Sequence, residues 1–160
     1  MRNLRLIALL LVTLFSLSLS SCKDDDDSED MSPKTALLTE KEWTGEGIYV
    51  QGTSLALLLQ LAGEEDLAEQ FNISSTKIKF EKDGTFTGTS NGVMDSGKWK
   101  FTDNEQKIVI TNADNQETTF KVNSLTESNL NLELNVEDLG MEPVEFQGVT
   151  INTVELRFVR

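Results

Sequence analysis

No histidine occurs among the 160 residues. That removes the usual general base, the commonest metal ligand, and every Ser–His or Cys–His nucleophile system. Phosphate-cradling loops are missing as well: Gly84, Gly88, Gly92 and Gly97 are spaced as turn and bulge glycines, and none opens a helix. Positive charge is scarce, with 14 Lys and Arg against 27 Asp and Glu and a net charge of -13. So acidic a surface repels nucleic-acid phosphates, which excludes nucleic acid as a partner. Acids are numerous enough to form a glycosidase pair. They fall on turns, on an N-terminal segment, on outward strand positions and in the stretch Glu137, Asp138 and Glu145, where burial would not raise a carboxyl group into the acid role. The expectation is a protein that is not an enzyme and uses no cofactor and no metal.

Cysteine is nearly absent too, and the one thiol, Cys22, is placed tellingly. Residues 1–21 open with Arg2 and Arg5, run through an apolar core from Leu6 to Leu19 and end in Ser20-Ser21. A basic start, a short apolar core and small residues at the cut site describe a secretory signal peptide, and the run is short for a membrane span. Leu19-Ser20-Ser21-Cys22 resembles a bacterial lipobox, which implies that Cys22 is the lipid attachment site and first mature residue. Lipidation would leave the mature chain without a thiol, and several acyl chains on one residue anchor it stably to a membrane. Removal of residues 1–21 takes the net charge to -15.

Residues 22–38 read as a flexible acidic tether, because a block of like charges such as Lys23-Asp24-Asp25-Asp26-Asp27 has no apolar period with which to fold. Lysine followed by acids directly after the cysteine resembles the export signal of lipoproteins in Bacteroidetes-type bacteria. That implies an outer-membrane lipoprotein exposed at the cell surface.

The folded domain is expected over residues 39–160. Residues 42–51 read as a first strand, whose Gly45 and Gly47 suggest a bend or a close backbone approach. Ser54 is suited to cap a helix over residues 55–71, with Leu55, Leu58, Leu59, Ala62 and Phe71 along one side. Leu57 and Leu61 widen that stripe, so the helix is expected to be well buried, and Gly63 to kink or split it. Strands at period two then follow over residues 75–82, 85–90, 97–102, 107–111, 118–123, 129–135 and 150–159. Turn residues separate them: Asp83-Gly84, Asp95-Ser96, Asp103-Asn104, residues 112–115 and 126–128.

The inward positions collect Ile78, Phe80, Phe86, Trp99, Phe101, Ile108, Ile110, Phe120, Val122, Leu130, Leu132, Leu134, Val154, Leu156 and Phe158, with no charge among them. Lys79, Lys98, Lys100, Lys121, Glu133, Glu155 and Arg157 fall on the other face. Eight short alternating strands joined by tight turns predict an all-β fold: an eight-stranded antiparallel up-and-down barrel with one apolar helical insertion between strands 1 and 2. Closure removes the exposed edges.

Trp43, then Lys79-Phe80-Glu81-Lys82-Asp83-Gly84-Thr85-Phe86, Gly97-Lys98-Trp99, Phe120-Lys121-Val122-Asn123-Ser124-Leu125-Thr126 and Leu130-Asn131-Leu132 resemble the small lipocalin-like lipoproteins of Bacteroidetes over about residues 40–160. The best-known lipocalins place Gly-x-Trp on the first strand, whereas here the order is Trp43-Thr44-Gly45. The helix after strand 1 is also an insertion where those proteins have a loop.

The resemblance implies a barrel that binds a small apolar or amphipathic ligand. Trp43, Tyr49, Leu58, Phe80, Trp99, Phe101 and Phe146 are the candidate ligand-binding residues, the aromatics as stacking surfaces and Leu58 from a helix over one barrel mouth. A second reading is a non-catalytic scaffold of an envelope complex with a filled barrel, suggested by the long apolar loop over residues 136–150 with Leu139, Met141, Val144 and Phe146. Nothing in the sequence names a protein partner.

Overall fold

Wherever apolar residues alternate with polar ones the chain is extended, and the strands wrap until the last meets the first. The computed structural model describes residues 31–139, 143–146 and 148–160. The signal segment, Cys22 and Met141 lie outside the described residues. Residues from Met31 to Arg160 form one unit. It opens with helix α1 (Pro33–Thr39), followed by strand β1 (Trp43–Val50), a two-residue strand β2 (Thr53–Ser54), and helices α2 (Leu55–Leu61) and α3 (Glu65–Gln70). Then come β3 (Lys77–Phe80), β4 (Thr85–Ser90), β5 (Val93–Thr102), β6 (Lys107–Asn112), β7 (Glu117–Leu125) and β8 (Asn129–Asn135). A 3-10 turn (Val136–Leu139) and a small hairpin of β9 (Val144–Phe146) and β10 (Val149–Ile151) lead to β11 (Thr153–Val159).

Closure comes from β1, which pairs with β3 through Trp43 and Ile78 and with β11 through Ile48 and Leu156. β1, β3 to β8 and β11 thus make a closed eight-stranded antiparallel barrel with every sequential pair adjacent. All fifteen residues read as inward belong to the two apolar clusters inside it. The outer face carries polar pairs instead: Lys121 to Glu133 at 3.2 Å, Arg157 to Glu155 at 2.6 Å, and Asn123 donating to both carboxylates.

The two clusters divide the barrel lengthwise. One, built on Trp43, Phe80, Phe86, Trp99, Ile108, Leu130, Leu132 and Phe158, fills the half where β1 begins and β11 ends. The other, built on Val50, Leu134, Val136 and Val154, lies at the opposite half, where β1 ends and β11 begins.

Helix α1 plugs the first half. Ser32 caps it by accepting from the Thr35 amide at 3.0 Å, and Pro33 stands at the start of the helix, where its missing N–H costs nothing. Leu38 is fully buried among the core aromatics. The carbonyls left open at the helix end find donors: Trp43 Nε1 reaches Leu38 O at 2.9 Å, Arg160 reaches Leu37 O at 2.9 Å, and Lys79 takes Thr39 O. Arg160 also lies 4.2 Å over the Trp43 ring. Residues 33–38 are therefore helix and core rather than tether, because Leu38 gives this polar stretch one side chain worth burying.

Two other boundaries shift. β5 begins at Val93, four residues before the expected start, because Asn91-Gly92 makes the turn with φ of 49° and 80° at the two central positions. That left-handed pair is what Asn-Gly supplies in a two-residue hairpin, so Asp95-Ser96 stays inside the strand. The expected last strand over residues 150–159 is broken at Asn152. Val149–Ile151 pairs with β9 instead, across a turn at Gly148 with φ of 81°.

Candidate functional site: an apolar cavity at the open end

Gly63, at φ of 80°, splits the apolar insertion into two short helices, as its place between an apolar and an acidic stretch suggests. Ser54 caps α2 by accepting from the Leu57 amide. Seven residues of helix cannot present a broad stripe to one surface, so only the i, i+3, i+4 set Leu55, Leu58 and Leu59 turns toward the barrel. The expectation of a well-buried helix fails here. No residue of α2 is buried, Leu57 is 48% exposed and Leu61 77%.

Beneath the two helices lies a cavity of about 570 Å³. Its roof is Leu55, Leu58 and Leu59 of α2, Leu67 of α3 and Phe71 just beyond. Ile48 and Val50 of β1 form one wall, and Phe120, Leu134, Val136, Ile151, Val154 and Leu156 complete it. Every one of these thirteen side chains is apolar. The volume lies within the range of small-molecule sites, and such sites form preferentially in barrel mouths. Among the described residues the lining holds no group that could take or give a proton, and it offers no hydrogen bond. Its one chemical capacity is to remove hydrocarbon from water, worth roughly 0.8 kcal/mol per buried methylene before the cost of association. Among the described residues no three carboxylates converge as metal ligands.

Of the candidate residues whose side chains are described, Leu58 alone lines this cavity. Trp43, Phe80 and Trp99 sit in the filled half, at 0%, 0% and 7% exposure. Phe80 and Phe101 each meet Trp99 edge to face, with centroids 5.6 and 5.4 Å away. Trp99 Nε1 donates to Glu81 O at 2.9 Å and Trp43 Nε1 to Leu38 O, so both indoles are spoken for within the core. Their size and near-flat sides suit them to fill the barrel, which is why they do not face a ligand space. Tyr49 points outward, because it alternates with Ile48 and Val50, and Arg157 lies 3.8 Å over its ring. Hydrogen bonding to Glu155 raises the Arg157 pKa above its ordinary value. Phe146 stands on β9; its side chain lies outside the described atoms.

The cavity residues that were not singled out had a signal. Ile48 and Val50 flank Tyr49 at period two, and Val136 continues the run Leu130, Leu132, Leu134. Mostly aliphatic residues, with Phe71 and Phe120, make the space.

A family model described as a lipocalin-like domain matches residues 39–132, more than half of the chain. The chain belongs to the lipocalin-like domain family. Among solved structures, a DUF4847 family protein from Bacteroides vulgatus is similar at a TM-score of 0.50 and 15% identity, over 76% of this chain and 93% of that one. An uncharacterized protein from Bacteroides eggerthii gives a TM-score of 0.42 and 17% identity over 74% and 96%. At 15% identity the first likeness speaks to the fold alone. No curated protein matches the chain. The lipocalin-like barrel read from Trp43, the Asp83-Gly84 hairpin and Gly97-Lys98-Trp99 is thus the family's fold.

Proposed function

We propose that this lipocalin-like protein binds one small apolar or amphipathic molecule in the cavity under α2 and α3, and that a lipid on Cys22 holds it at the outer membrane, exposed at the cell surface. The observation that carries the binding reading is the all-apolar lining at the open end, set against a filled and plugged opposite end. A scaffold barrel has no use for a half-empty interior, whereas a binding protein needs one. Support for non-catalytic action is the same lining, which among the described residues offers no nucleophile, base or acid. Support for the anchor is the tripartite segment before Cys22.

Native mass spectrometry of protein isolated from its own host tests binding. The expected spectrum shows an adduct of a few hundred daltons, following the cavity volume, that organic solvent strips away. A bare polypeptide mass under gentle conditions would contradict the reading. Metabolic labelling with palmitate tests the anchor: the wild-type chain should take up label and fractionate with the envelope, and Cys22→Ala should do neither.

A further inference from the structure

The open end differs from the rest of the molecule in charge as well as in packing. Residues 51–76, 87–97, 110–120, 134–139, 143–146 and 148–156 make this end of the barrel and its roof, and they contain no lysine or arginine. Of the basic residues bordering them, Lys77 pairs with Glu42 at 3.0 Å, Lys121 with Glu133 and Arg157 with Glu155, while Lys98, beside Thr111, is exposed and makes no ion pair among the described residues. Acids are plentiful there by contrast. Glu64, Glu65, Asp66 and Glu69 surround Leu67 on the roof, and Asp114 and Glu117 stand on the β6–β7 turn. All six are exposed, and none takes part in an ion pair among the described residues. Leu67 itself lines the cavity, so an apolar site and a field of carboxylates share one short helix.

We infer that the ligand is a cationic or neutral amphiphile and that fatty acids and other anionic amphiphiles are rejected; this rests on the binding reading above. The lining cannot satisfy a polar group, so only a hydrocarbon tail enters. The head must therefore stop at the mouth, where every formal charge is negative. A cationic head is attracted there and a carboxylate is repelled. The interaction is through water at a surface, so it is modest and screened by salt.

Decylamine, decanol and decanoate share a tail and differ in head charge at pH 7. Titrated into the full mature protein at low ionic strength, they should bind in the order amine, alcohol, acid, with roughly tenfold between the first and last. The spread should close in molar salt. The variant Glu64→Gln/Glu65→Gln/Asp66→Asn/Glu69→Gln should keep its decanol affinity and lose most of the amine preference. Equal affinities for the three, or a preference for decanoate, would overturn the inference and leave the binding reading intact. Failure of decanol and of both other probes would remove the binding reading itself. Decylamine binding that excess decanol does not displace would be surface association, and would also overturn the inference.

Discussion

At the scale of single residues, close approach decides what is tolerated. A Cβ on Gly97 would stand 2.1 Å from Thr111 O and 2.9 Å from the Phe86 ring, and one on Gly45 would stand 2.0 Å from Ile73 O. Gly97→Ala is therefore expected to cost about 1–3 kcal/mol, read as a lower urea midpoint with an unchanged slope. Trp43→Ala empties a fully buried site of the filled half and should cost about 3–5 kcal/mol. Charged groups matter less but leave a pH signature. Asp83 accepts from the Thr85 hydroxyl and amide, and Glu133 from Asn123, and these bonds hold both carboxyls below their ordinary values of 3.8 and 4.5. An acid with a lowered folded pKa stabilises the fold above its ordinary value and loses that contribution as pH falls through the folded one. The urea midpoint should thus be flat near neutrality and fall below about pH 4.5, and Asp83→Asn should blunt the fall.

At the scale of elements, the strands were legible because period two leaves little choice: one face must be dry, and a slip of one residue would turn every inward side chain out. The hairpin at Asp83-Gly84 was legible for its turn chemistry, and Asn91-Gly92 carries the same signal with β5 starting directly after it. Helix α1 was hidden because its last carbonyls are held by Lys79 and Arg160, which are distant in sequence, as well as by the nearby Trp43. The roof was half legible. Spacing picked out Leu55, Leu58 and Leu59, but hydrophobicity alone cannot say that Leu57 and Leu61 stay in solvent. That exposure has a consequence for motion: a roof held only by its inner leucines, between Gly52 and Gly63, has few buried contacts to break. Amide exchange should be fastest in α2 and α3 and slowest in β6 and β8, and an apolar ligand should slow exchange in the roof selectively.

At the scale of the whole molecule, the barrel works as two compartments with opposite tasks. Aromatic residues, a plugging helix and Arg160 consolidate one end, while mainly aliphatic residues leave room at the other. Both tryptophans lie in the filled compartment, so their emission should be blue-shifted and should barely change when a ligand enters. The most direct test is a titration with the neutral fluorophore N-phenyl-1-naphthylamine, whose emission rises in apolar surroundings. Wild-type protein should show saturable enhancement at one equivalent, displaced by decanol, and Leu58→Asp, which sets a carboxylate into the apolar roof, should weaken it at least about tenfold while lowering the unfolding free energy by no more than about 1 kcal/mol. Absence of saturable binding by the folded wild type, or equal binding by the variant, would contradict the account.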